Sequence, residues 1–82
     1  MIEGNVYVFS IPSRMDKESL SEEIGEGLES ARCGRLLGSG MSVGGSSTIC
    51  LEIGAFDRDK AYAVISRVCR KMKCDDYEMV WD

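Results

Sequence analysis

The sequence predicts an α+β sandwich whose elements run β-α-β-β-α-β, and three observations predict it. Two segments carry apolar residues at helical spacing, around Leu20–Ala31 and Ala61–Met72. Between them lies a glycine-rich stretch followed by a cleanly alternating apolar run, "GRLLGSGMSVGGSSTICLEI". Short β-rich segments, "NVYVFSI" and "DYEMVW", stand at the two ends. Period 3.6 marks amphipathic helix and period 2 marks strand, so the order follows from the patterns alone.

The first segment, 5–11, sets Val6, Val8 and Ser10 on one face and Tyr7, Phe9 and Ile11 on the other. Both faces are largely apolar, as in a central strand. Pro12 ends it. A helix is expected over 17–31, with Leu20, Ile24, Leu28 and Ala31 as its buried stripe. Asp16 or Ser19 is the expected cap, and Ser19 with Glu22 fits a capping box. Gly25 and Gly27 each weaken this helix by about 1 kcal/mol relative to alanine, a cost that close packing would justify.

Strands are expected next over 35–43, where Leu37, Met41 and Val43 alternate with smaller residues, and over 47–54. In the latter, Ile49, Leu51 and Ile53 point one way and Thr48, Cys50 and Glu52 the other. The second helix spans 58–73, capped by Asp57, with Ala61, Ile65, Val68 and Met72 buried and Val64 and Cys69 flanking. A last strand over 76–81 sets Tyr77, Met79 and Trp81 on one face. "FSIPSRMDK" before the first helix echoes "LEIGAFDRDK" before the second. Two βαβ halves joined by a hairpin give a ferredoxin-like sandwich, a four-stranded antiparallel sheet with two helices on one face. Right-handed crossovers put strands one and three in its middle. All 82 residues form a single domain.

The five glycines between Gly34 and Gly45 invite a phosphate-binding reading, which fails on spacing. Gly38, Gly40 and Gly44 are one residue too long for GxGxxG, and a strand rather than a helix follows. No GK[ST] is present either. A structural hairpin is the expectation, with a backbone surface for a partner as the alternative.

Chemistry is sparse. There is no histidine, so the commonest general base and triad partner is missing. Cys33, Cys50, Cys69 and Cys74 show no CxxC spacing and read as reduced packing residues rather than disulfides or zinc ligands. A thiolate at Cys69 or Cys74, near Arg70 and Lys73, is disfavoured. No apolar run is long enough to span a bilayer and no basic n-region opens the chain, so a cytoplasmic location is expected. A formal charge of −4 disfavours nucleic acid. Tyr7, Phe9, Tyr77 and Trp81 are expected to serve packing rather than base stacking, since "TICLEI" holds no aromatic. No enzyme, metal site or cofactor is expected.

Charge is segregated. From Asp16 to Ser30 six acids face only Lys17, while from Asp57 to Lys73 six bases face two acids. These are either two helix faces attracting one another or an acidic helix that steers a basic partner.

The second half of the chain, from "LGSGMSVGG" to "MVW", resembles a group of small bacterial ferredoxin-like proteins. Gly38, Gly40, Gly44, Gly45, Asp57, Ala61 and Val68 carry the likeness over about half of the chain. The resemblance implies a binding or immunity-type inhibitor rather than an enzyme. The expected function is a small protein-binding module that neutralises a larger basic partner such as a nuclease. Glu22, Glu23, Glu26 and Glu29 form the expected contact, with Gly40, Met41 and Gly44 of the hairpin as a second one. The rival is a ligand-sensing regulatory domain of ACT type, acting as a dimer. An open sheet face carrying Val6, Val8, Cys50 and Val80 would support a homodimer.

Overall fold

The computed structural model describes residues 1–9, 16–42 and 48–81. The order is β1 (Ile2–Val8), α1 (Lys17–Ser30), β2 (Gly34–Ser42), β3 (Thr48–Ala55), α2 (Arg58–Lys71) and β4 (Tyr77–Trp81). The four strands form one antiparallel sheet in the order β2-β3-β1-β4. That is the ferredoxin-like βαββαβ arrangement, with β1 and β3 central. The expected strand residues at 10, 11, 43 and 47 lie outside the described ones.

One face of the sheet buries Val6, Val8, Ile49, Leu51 and Ile53 against Leu20, Ile24 and Leu28 of α1 and Ala61, Val64, Ile65 and Val68 of α2. Tyr77, Met79 and Trp81 close the β4 side of this core. Helical stripes and strand alternation thus meet in a single apolar layer, each full burial contributing about 1.5 to 3 kcal/mol. Ala31, placed in the α1 stripe by spacing, is instead the exposed C-cap, because the helix ends one residue before it.

The sheet face needs a correction. The sequence puts Val6 and Val8 on the open side, yet they are 1% and 0% exposed. Register decides this: Val6 stands opposite Leu51 and Val8 opposite Ile49, and directly opposed residues share a face. Tyr7, opposite Cys50 and Glu78, therefore belongs to the open face and not to the core. Of the apolar patch offered for a homodimer, Val6 and Val8 are inside the molecule, and only Cys50 and Val80 remain on the open face.

β1 begins at Ile2, earlier than the pattern suggests, because Gly4 is covered from across the sheet. It pairs with Trp81, and a β-carbon on Gly4 would lie 2.5 Å from Trp81 Cε3. In β2 a register shift between Leu36 and Gly38 turns Leu36, rather than Leu37, toward the core. Leu37 is left 39% exposed.

Both halves begin and end their helices in the same way. Asp16 and Asp57 are the N-caps, accepting hydrogen bonds from the backbone N–H of Ser19 at 2.7 Å and Lys60 at 3.2 Å. Ser19 lies inside α1, so the capping box expected from it does not form. At the other ends, Cys33 N–H donates to Leu28 O and Arg32 N–H to Glu29 O. Cys74 N–H donates to Cys69 O and Lys73 N–H to Arg70 O in the same way. These are two Schellman turns, with Arg32 and Lys73 at φ 54° and 61° and a buried cysteine next in each.

Candidate binding surface

α1 lies with Leu20, Ile24 and Leu28 on the sheet and Gly27 against α2. At about 100° per residue, Glu18, Glu22, Glu26 and Glu29 then fall within an arc of roughly 80° on the solvent side. All four are exposed. Glu23 is set apart from them. Its Oε2 lies 3.1 Å from Lys71 Nζ, bridging α1 to α2. The two halves of the charge segregation thus meet at Glu23 and Lys71, while the Glu22, Glu26 and Glu29 carboxylates have no ion pair among the described residues.

Beyond Glu18 this stripe does nothing for the helix that carries it. Like charges four residues apart, as at Glu18–Glu22 and Glu22–Glu26, cost a few tenths of a kcal/mol each. Glu29 stands in the last turn, where no base offsets it and the helix dipole opposes a negative charge. Only Glu18, in the first turn, is well placed with respect to the dipole.

The glycine strand lies alongside. β2 is an outer strand of the sheet. A β-carbon on Gly40 would meet nothing within 4 Å, so no packing demand calls for glycine there. Met41 is 47% exposed. Gly44 lies outside the described residues. No described glycine has a positive φ, so the conformational freedom of glycine is not what β2 uses. Close approach explains others: a β-carbon on Gly34 would collide with the carbonyl oxygen of Gly54 across the β2–β3 pair.

Sequence reasoning named an open sheet face but filled it with the wrong residues, Val6 and Val8 in place of Tyr7 and the carboxylates. Glu3, Asn5, Tyr7, Cys50, Glu52, Glu78 and Val80 occupy it by register. A shallow depression of about 250 Å³ there is lined by Glu3, Gly4, Asn5, Leu37, Glu52 and Ile53. Arg35, opposite Gly54, shares this face, which is therefore mixed, three carboxylates and one base beside Tyr7, Cys50 and Val80, rather than mostly apolar. The signal was present in the alternation of Thr48, Cys50 and Glu52, but only pairing with Tyr7 and Asn5 shows which residues join them.

The thiols are quiet. Cys33, Cys69 and Cys74 are buried and Cys50 is half-buried, its Sγ 3.9 Å from Asn5 Oδ1. Burial, and then the neighbouring Cys74, push the Cys69 thiol up to about 12. Burial, with Asp75 second, raises Cys74 as well. Neither is the activated thiolate that Arg70 and Lys73 would have to create. Among the described residues, no three side chains of histidine, cysteine, aspartate or glutamate are grouped to hold a metal, and no helix is long and apolar enough to cross a membrane.

No protein-family model matches the chain, and no curated protein matches it.

Proposed function

We propose that this chain is a small non-enzymatic protein-binding module that neutralises a larger basic partner, in the manner of an inhibitor or immunity protein. The observation that carries the reading is the stripe of Glu22, Glu26 and Glu29, exposed, unpaired among the described residues and unfavourable to its own helix. A surface kept against the interest of the fold is explained by an external cation-rich contact. A nuclease fits that chemistry, because an enzyme that grips phosphates presents a basic site. Four free cysteines suit the reducing cytoplasm to which this reading assigns it.

The test begins with a partner captured from the host lysate. Its association rate is then compared between the wild-type chain and the triple variant Glu22→Lys, Glu26→Lys, Glu29→Lys. The rate should fall by about tenfold or more at low salt and lose its salt dependence. Equal rates and equal salt slopes would mean that the stripe is a solvated face.

A further inference from the structure

We propose that the partner adds an extended, lysine- or arginine-bearing segment to the free edge of β2 as a fifth strand. This rests on the binding reading above and specifies its mode. β2 runs nine residues, Gly34–Ser42, and no described element lies beyond it in the sheet. Its outward backbone groups are therefore a template for another strand. Proteins usually blunt such an edge with lysine, proline or inward charges. Between Leu36 and Ser42 there is neither a charge nor a proline. The bulge at Leu36/Gly38 disturbs only the first part of the edge, and Gly38–Ser42 pair regularly with Glu52–Thr48. Gly40 leaves the backbone bare, with open space where its side chain would be.

The charge around this edge selects the occupant. Gly25 of α1 sits over Leu36, a β-carbon there lying 3.7 Å from Leu36 Cβ. The α1 flank that overhangs β2 is thus the one shared with Glu18, Glu22 and Glu29, while Glu23 and Gly27 face α2. On the opposite face Glu52 flanks the edge, its Oε2 3.3 Å from where a Gly38 β-carbon would be. A strand docked here has carboxylates on both sides of its pleat. Alternate side chains of one basic strand reach α1 and the others reach Glu52.

A second copy of this chain fits poorly. Two β2 edges joined antiparallel in a continuous sheet are related by a two-fold axis normal to it, which sets both α1 helices on one face. Their acidic flanks would then confront each other.

The probe is a nine-residue peptide of alternating lysine and valine, added to the full chain. Three comparisons accompany it: the same peptide with every amide N-methylated, the alternating glutamate–valine peptide, and the triple lysine variant of the protein. Binding is read by amide NMR and hydrogen exchange. The lysine–valine peptide should slow exchange at Gly38–Met41, and N-methylation or the glutamate peptide should weaken binding by at least about tenfold. The triple lysine variant should weaken it comparably. Equal binding of the N-methylated peptide, still sensitive to the lysine variant and to salt, overturns strand addition and leaves the acidic stripe as the contact. Insensitivity to the lysine variant overturns the underlying charge reading instead. No binding at millimolar peptide, or a dimer in light scattering with β2 amides protected in the absence of peptide, also overturns the proposal.

Discussion

Gly27 of α1 stands so close to Val64 of α2 that a β-carbon on it would lie 2.8 Å from Val64 Cγ1. Valine is stiff at χ1, so the neighbour cannot swing aside. Gly25 has no such reason, since its β-carbon would make an ordinary contact at 3.7 Å. The two glycines should therefore part company on mutation. Gly25→Ala should stabilise by about 1 kcal/mol through helix propensity. Gly27→Ala gains the same propensity but overpacks the interface, for a net loss of about 1 kcal/mol. Urea unfolding of both variants distinguishes them by the sign of the midpoint shift.

Arg32 and Lys73 hold left-handed backbone at the two helix ends. Arg32→Gly and Lys73→Gly should each stabilise by about 0.5 to 1 kcal/mol, because glycine enters that region without a Cβ clash. The two sites are in different halves and share no partner, so the double variant should be additive. A fall in thermal midpoint for either would place a needed contact in the basic side chain.

Capping by Asp16 should give a pH signature. The Ser19 backbone N–H, and then its hydroxyl, hold the Asp16 carboxyl below its ordinary 3.8. A lowered folded value means the cap stabilises above 3.8 and is lost as pH falls through the folded value. Asp16→Ala should thus lower the melting temperature at pH 6 and make little difference near pH 2. An equal drop at both would show that the carboxylate charge is irrelevant to the cap.

Thiol labelling should be slow and ordered. Cys50, half-buried on the open face, should react first with a maleimide at pH 8, while Cys33, Cys69 and Cys74 wait for unfolding. The raised Cys69 value carries the opposite sign to Asp16. The folded protein keeps that proton while the unfolded chain loses it, so stability drains away from about pH 9 upward toward 12. Cys69→Val should flatten this alkaline slope. Mass spectrometry of the labelled peptides and melting curves from pH 8 to 11 check both.

Much of the architecture was legible because local pattern and topology agree. Leu20, Ile24 and Leu28, or Ile49, Leu51 and Ile53, announce their faces unaided. What failed was non-local. Val6 and Tyr7 are both apolar enough to face inward, and only pairing with Leu51 and Cys50 separates them. Gly4 looks like a strand breaker until Trp81 covers it from the far end of the chain. Leu36 and Leu37 are adjacent and identical in type, and a bulge chooses between them. The acidic residues of α1 were visible as a run, whereas the division of labour between Glu23 and its neighbours depends on where α2 packs.

The position of β1 has a consequence for how the chain acquires its shape. Its partners are β3, through pairs such as Val6–Leu51, and β4, through pairs such as Gly4–Trp81. Of the two central strands, β1 is thus the first strand of this sheet to be made and the last to be completed. On the ribosome α1, β2 and β3 can emerge and begin to associate, but one flank of β1 stays bare until the final five-residue strand arrives. Loop-closure entropy of this kind slows folding, and a nascent chain in that interval exposes a β-edge to its neighbours. Trp81 is the only tryptophan, so its fluorescence times the closing step.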